Sequence, residues 1–555
     1  MSLFLLLFYS YAAVIQPTAT QYHRGIYVFI TYVLIFITYK SKTLIFRIVD
    51  YILAGLSAFS IGYWIFNFEA INYRTGAETD FDKYVAMIGV LLGIELARRV
   101  VGNVFVILGV ALLLFGVYGD YMPDLIAHAG DTFPEVATSI FYKSDGVFGI
   151  MANVLATYVI LFVLFGAFLE KSGAQRFFID FPLAAVGHRI GGPGKVAVIA
   201  SGLFGSISGS AIANTVSTGT FTIPMMKKAG FKPHVAGGIE PAASISGMFM
   251  PPIMGAGGFI MAELTGVPYS RIMLVAIFPA VMYVFSVFMM VHYEAKIHNI
   301  KGEKSEHGAG HILKKQWYYT LPLVIITVLM LYGYSPSYAA IIGLFSCILV
   351  SWVKKDTRIG PKRFLEGARL GTQNSLTIGA TVGVIGIIIG VLTYSGLILT
   401  FADIVIELAA GKLWLTIIFI ALASLILGMG VPVTAAYLIT AVVAVPALTH
   451  LGVHELAAHM IVYWLSQDSN ITPPVCIAAF AGATIAGANM WKTAFTSFKF
   501  AKFLYLGPFL FGYVPAFSLN GSYTDIIKAF VLILFGTWAY SYILSGIWFP
   551  KRKKS

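Results

Sequence analysis

The chain is a succession of long apolar runs broken by charge, proline and glycine. A hydrocarbon core of about 30 Å takes about 20 apolar residues per helix, so runs of that order read as membrane crossings. In the first third they cover residues 3–15, 26–39, 44–66, 84–97 and 100–118, several of them short enough to tilt or pair. Together these make an N-terminal helical module, residues 1–131. A polar stretch at 120–145 precedes an apolar run at 147–169 and a long apolar region reaching residue 293. The most water-like segment, 296–316, reads as a loop or linker. Two more spans are expected at 317–332 and 338–353, then a basic patch at 354–369 and apolar sequence to Trp548. The expected fold class is an all-α polytopic membrane protein, whose second region runs from 132 to 555.

Composition agrees with that pattern. Of 555 residues, 58% are hydrophobic and 11% charged, against about 25% charge in soluble domains. The formal net charge of +12 marks cytoplasmic loops, since short loops on that side keep Lys and Arg, and no nucleic-acid surface is expected. Basic clusters at 296–315 and 354–363, two crossings apart, and the tail Lys551, Arg552, Lys553 and Lys554 fall on one side by this rule. Glu95 with Arg98 and Arg99 reads as an interfacial charge pair at a span end. Cys347 and Cys476 lie in apolar stretches and read as packing residues. The run 3–15 has no basic residue before it, which makes it a poor cleavable signal and a fair first membrane segment.

Sliding the chain against itself by 222 places finds one gapless register. It pairs Leu203 with Leu425, Ala213 with Ala435, Thr218 with Thr440, Pro224 with Pro446 and Gly230 with Gly452. It continues through Ile239 and Ile461, Ser244 and Ser466, Pro251-Pro252 and Pro473-Pro474, and Ala256 and Ala478. Each copy is punctuated twice: at 205–214 and 244–252 in the first, at 428–434 and 466–474 in the second. Helix is expected to fail at all four. A Pro-Pro pair removes two backbone donors and pushes the preceding residue out of α geometry. Inside a membrane such backbone survives only where protein, ion or water meets it. The Ser, Thr, Asn, Asp and Gln side chains there are oxygen ligands suited to hard cations. Paired repeats with oxygen-rich breaks at matching positions form the sequence pattern of a secondary transporter.

Some polar and glycine-rich points read otherwise. Gly386 and Gly390 are expected to serve close helix packing. Gly255-Ala256-Gly257-Gly258 lacks the strand and Lys-Ser/Thr of a phosphate loop. Asp468, between a span and a Pro-Pro break, is a site residue rather than a helix cap, because an intramembrane acid is costly unless paired or functional. Glu240, beside Pro241, is a gating or a structural acid. An intramembrane enzyme would need a nucleophile with its base or a metal cluster, and neither motif occurs. One chain with paired breaks favours a carrier over a pore.

Three runs, Phe204-Gly205-Ser206-Ile207-Ser208-Gly209-Ser210-Ala211-Ile212-Ala213-Asn214, Gly219-Thr220-Phe221-Thr222-Ile223-Pro224-Met225-Met226-Lys227 and Met250-Pro251-Pro252-Ile253-Met254-Gly255-Ala256, carry a family likeness. They resemble the membrane component of tripartite ATP-independent periplasmic (TRAP) transporters. Leu164-Phe165-Gly166-Ala167-Phe168-Leu169-Glu170-Lys171-Ser172-Gly173 resembles the subgroup whose soluble partner is of the TAXI type. The resemblance implies a fused permease in the bacterial inner membrane: scaffold helices at 1–131, and a transport region with inverted repeats near 198–262 and 420–484, each carrying a re-entrant hairpin. It implies Na⁺-coupled, elevator-type uptake of an organic anion delivered by a separate extracytoplasmic TAXI-type binding protein, with no enzymatic cofactor. By this match Ser206, Ser210, Asn214 and the carbonyls near Ser246 and Gly247 hold one Na⁺. Gly428, Gly430, Thr434, Asp468 and Thr472 hold another. Substrate lies between the hairpin tips, against Ser208, Gly209, Val431, Pro432, Asp468, Ser469 and Asn470, and Pro251, Pro252, Pro473 and Pro474 are the structural breaks.

The repeat also carries an orientation. After Pro224 come Lys227, Lys228 and Lys232, whereas the matching turn after Pro446 has no lysine. Positive charge marking the cytoplasm therefore places the two copies in opposite directions. Single cysteines at positions 228 and 450 are expected to react with an impermeant thiol reagent from opposite faces of oriented vesicles. Labelling of both from one face contradicts the inversion.

Overall fold

The computed structural model describes residues 1–41, 43–302, 305 and 307–546, and these form helices, turns and loops without a strand. The tail Lys551, Arg552, Lys553 and Lys554, together with Trp548, lies outside the described residues. Among the described residues six helices are long and apolar enough to cross a membrane: Leu44–Phe66, Ile150–Lys171, Tyr269–Ile297, Pro361–Tyr394, Val433–His450 and Tyr523–Leu544. Shorter apolar helices, Ser2–Val14, Asn103–Val117, Pro336–Ser351, Leu413–Leu427 and Ile477–Ala486, accompany them.

The apolar runs of the first third become the helices Ser2–Val14, Thr20–Thr38, Leu44–Phe66, Asp80–Val100 and Asn103–Val117. They pack closely on a later segment. A Cβ on Gly93 would come within 2.9 Å of the Gly383 Cα, and one on Gly109 within 2.6 Å of Val384. Gly386 likewise lets the Val147 backbone approach, so the glycines at 386 and 390 do serve close packing. Arg98 and Arg99 each reach Glu95 at 2.7 Å, and Arg99 also meets the buried Asp50 at 2.5 Å, which turns the expected pair into a four-residue network. Both cysteines are free and buried.

Three polar stretches hold more helix than their hydropathy suggests. Within 120–145 lies Phe133–Tyr142, started by the Thr132–Glu135 capping box and docked where Gly89 faces the Phe141 ring; Tyr142 donates to the Asp82 carbonyl at 2.8 Å. Within 296–316 lies Ala309–Gln316, and the basic patch opens the helix Pro361–Gly379. Such helices keep one apolar face among charges, so a count of apolar length passes over them.

The 222-residue register holds in three dimensions. Ala211–Lys228 and Val433–His450 begin and end 222 residues apart; Pro233–Ser244 and Glu455–Leu465 begin 222 apart, as do Gly255–Thr265 and Ile477–Ala486. Met254 and Cys476, also 222 apart, both take the left-handed conformation (φ 59° and 34°) directly before the last helix of each copy. All four expected breaks occur. The first is confined to Gly209 and Ser210, with helix on both sides, and the others lie at 250–254, 428–432 and 466–476. Ser206 and Ser208 therefore sit on the end of one helix and Asn214 on the start of the next.

Helices of the two copies interpack. A Cβ on Gly482 would stand 2.3 Å from the Gly237 carbonyl, and Lys227 donates to the Ala486 carbonyl at 2.7 Å, closing the C-terminus of the opposite copy's helix. Within the first copy a Cβ on Gly247 would fall 2.2 Å from the Gly205 Cα. Gly247→Ala is therefore expected to lower stability by about 1–3 kcal/mol through overpacking, while Gly55→Ala, which meets nothing, changes it little. Thermal unfolding in detergent checks the pair.

Candidate functional site

The first break is built where three helices meet. Gly192–Ser208 ends at the left-handed Gly209, and Ser210 then caps Ala211–Lys228 by accepting from the Ala213 amide at 3.3 Å. Asn214, fully buried one turn on, holds the group together: its Nδ2 donates to the carbonyls of Ser201 (2.8 Å) and Ser244 (3.3 Å). Its Oδ1 is left without a partner, as are the buried hydroxyls of Thr215 and Ser244. Ser206 donates to the Leu203 carbonyl at 2.8 Å and Ser246 to the Ala243 carbonyl at 2.6 Å, so each keeps oxygen lone pairs free. Gly205 and Gly247 bring the two backbones into contact beside Asn214. The structure thus gathers Ser206, Asn214, Ser246 and Gly247, with Ser210 at the turn.

The second break repeats the layout with different side chains. Gly428 lies against Ser424 and Ser469, and Gly430, left-handed at φ 70°, faces Val104 of Asn103–Val117. Thr434, Ser424, Gln467 and Asp468 each carry a buried side-chain oxygen without a partner. The cap of the following helix is Cys476, so Asp468 is buried without capping it. Thr472 pairs its hydroxyl with that of Tyr505, and Asn470 donates to the Gln467 carbonyl at 3.3 Å. The structure thus brings Gly428 against Ser469 and buries Thr434 and Asp468, each with an unpartnered oxygen.

Ser208 and Gly209 line a separate cavity of about 30 Å³ with Phe162, Ile253, Gly255 and Ile378. Val431, Pro432, Asp468, Ser469 and Asn470 do not line it. Both Pro-Pro bonds, Pro251-Pro252 and Pro473-Pro474, are cis.

Several participants escaped the sequence reading. Tyr463, in the second copy, donates to the carbonyls of Met248 and Met254 at 2.5 Å each and so meets the first copy's backbone just before and within its second break. Tyr283 and Tyr505 stand 222 residues apart, beyond the stretch that ends at Ala256 and Ala478; the first donates to the Ala242 carbonyl at 2.7 Å. The register itself carried a signal for this tyrosine pair. Contacts between positions more than 200 residues apart, such as those of Tyr463, leave no local signal. Glu240 is fully buried and receives hydrogen bonds from Ser201 (2.5 Å), Thr218 and Thr222.

Against this geometry the relatives can be read. Residues 88–517 match the family model of the tripartite ATP-independent periplasmic transporter, DctM component. A putative TRAP transporter large permease protein of Haemophilus influenzae is 25% identical over 70% of this chain and 87% of its own length. The C4-dicarboxylate TRAP transporter large permease protein DctM of Pseudomonas aeruginosa is 24% identical over 69% and 91%. Among solved structures, the Alcanivorax borkumensis YdaH transporter shares the fold, with TM-score 0.51, 16% identity, and coverage of 74% of this chain and 98% of that one. The family match over most of the chain, with its apolar helices, makes this a multi-pass membrane transporter rather than an enzyme. The chain belongs to the DctM component family of tripartite ATP-independent periplasmic transporters, permeases that carry organic acids with a separate extracytoplasmic binding protein.

Tyr463→Phe removes the donor that the Met248 and Met254 carbonyls share. It is expected to destabilise the protein by about 1 kcal/mol, read as a lower melting temperature, and to leave the fold intact by circular dichroism.

Proposed function

We propose that this chain imports an organic carboxylate together with Na⁺, taking it from a TAXI-type binding protein, and that the repeat-built block carries both across the membrane in an elevator-type movement. The observation that supports this most is the pair of helix breaks, each surrounded by buried oxygens without partners: Asn214 and Ser244 at one, Thr434 and Asp468 at the other. In a medium without water such oxygens need a ligand, and Na⁺ prefers oxygen donors. One Na⁺ is assigned to Ser206, Ser210, Asn214, Ser246 and Gly247, and the other to Gly428, Gly430, Thr434, Asp468 and Thr472. The anion would meet Ser208, Gly209, Val431, Pro432, Ser469 and Asn470 once the tips part.

Energetics favour cation coupling. Moving one negative charge inward against the membrane potential costs about 2.3 kcal/mol per 100 mV, so cotransported cations must more than neutralise the cargo. Two Na⁺ with a monoanion satisfy that sign, and a dianion needs more than two. The C4-dicarboxylate in the name of the Pseudomonas aeruginosa relative makes short dicarboxylates the first substrates to test. The TAXI assignment is supported by the 164–173 segment, and the inner membrane by the family.

In proteoliposomes supplied with the cognate binding protein, uptake is expected to require an inward Na⁺ gradient. Asn214→Ala and Asp468→Asn should each lower the rate at least about tenfold, the loss of one strong ligand interaction of about 1.4 kcal/mol. Uptake indifferent to Na⁺, or normal rates in both variants, contradicts the proposal.

A further inference from the structure

Three helices of the first copy share a buried polar seam that runs beyond the break. On Ala211–Lys228 it comprises Asn214, Thr218 and Thr222, one helical turn apart each; on Pro233–Ser244 it comprises Ser244 and Glu240; on Gly192–Ser208 it includes Ser201. Every one of these residues is at most 1% exposed. Hydrogen bonds link them in sequence. Asn214 holds the Ser201 and Ser244 carbonyls, Ser201 contacts Thr218 at 3.0 Å, and Ser201, Thr218 and Thr222 all donate to the Glu240 carboxylate. The oxygens Asn214 Oδ1 and Ser244 Oγ, between the break and Glu240, have no partner.

The charge at the end of this seam has no counter-ion. No ion pair involves Glu240 among the described residues, and the basic groups on the helices packed against it are engaged elsewhere or stand at helix ends. Lys195 bonds His292, Lys227 the Ala486 carbonyl and Lys499 Glu294. His234, Lys228, Arg271, Lys296 and Lys492 occupy the first or last turns of their helices, and Tyr283 is held by the Ala242 carbonyl. Three hydroxyl donors do not replace a cation for a fully buried carboxylate, whose desolvation costs several kcal/mol.

The second copy keeps only Thr440 for Thr218 and Ser466 for Ser244 of this seam, and packs without the rest. At the matching positions it carries Ala423 for Ser201, Ala436 for Asn214, Ala444 for Thr222 and Val462 for Glu240. Ala436, Ala444 and Val462 are buried there in an apolar core. A fold requirement for a buried acid at this position would fall on both copies, and the acid with Ser201, Asn214 and Thr222 falls on the first alone.

We propose that Glu240, cradled by Ser201, Thr218 and Thr222, is a third monovalent-cation site, joined to the first break through Asn214 and Ser244 and taking either Na⁺ or a proton as its neutralising ligand. This rests on the reading of the breaks as cation sites. Its consequence is that the first copy carries a carboxyl group where the second has Val462, while the second copy's own acid, Asp468, stands at its break, so the two copies contribute unequally to coupling.

The test uses the purified full-length chain and the cations alone, by thermal unfolding in NaCl against choline chloride across a pH series. If Na⁺ is the ligand, Glu240→Gln raises the Na⁺ concentration for half-maximal stabilisation at least about tenfold at every pH, as loss of a charged ligand does. If the proton is the ligand, Glu240→Gln keeps the Na⁺ response but loses the wild type's dependence of melting temperature on pH. A Glu240→Gln protein that matches the wild type in both responses overturns the proposal. Should that variant not fold, Ser201→Ala with Thr222→Val keeps the carboxylate, strips two donors and is expected to shift the same responses; unchanged responses overturn the proposal equally. Asn214→Ala, run alongside, separates the readings: loss of the Na⁺ response in Asn214→Ala with wild-type behaviour in Glu240→Gln defeats this site and leaves the break sites standing.

Discussion

Main-chain groups that a helix no longer pairs must find partners in a medium without water, and the arrangement of this protein follows from that need. Four breaks expose such groups, and other parts of the chain reach each of them. Asn214 ties the first break to two neighbouring carbonyls. Tyr463 reaches across from the opposite copy to Met248 and Met254. Gly205 against Gly247 and Gly237 against Gly482 keep the backbones close enough for these contacts to form, because a Cβ at either crossing would collide with main chain. Among side-chain atoms the breaks leave a small set of buried oxygens unpaired, and these are open to a ligand.

The two copies share one scaffold and differ in what fills it. Helix starts coincide in the 222-residue register, and the left-handed residues Met254 and Cys476 occupy the same place. Yet Asp468 stands where the first copy has Ser246, and Glu240 stands where the second has Val462. Each copy thus buries one acid, at different depths relative to its Pro-Pro pair. A duplicated fold with unequal acids supplies two chemically distinct halves.

Much of the architecture was legible in the sequence, for a physical reason. Proline and glycine act locally on the backbone, so the breaks at 428–432 and around both Pro-Pro pairs appear where their residues stand. The run 44–66 matches the helix Leu44–Phe66 because lipid exposure demands unbroken apolar length. Phe133–Tyr142 and Ala309–Gln316 were hidden in polar segments, since their helices bury only one face. The first break was narrower than its Gly-Ser composition suggested: serine hydroxyls such as Ser206 bond back to the preceding turn and let helix persist to Ser208. The Tyr463 bridge and the three donors to Glu240 depend on segments meeting in space, which no local pattern encodes.

Equilibrium binding of radiolabelled Na⁺ to the purified protein tests the central claim most directly. The account predicts that Asn214→Ala and Thr434→Val each lose part of the bound Na⁺, and that the double variant loses the sum of the two. A double variant binding as much Na⁺ as the wild type would contradict the assignment of cations to the paired breaks.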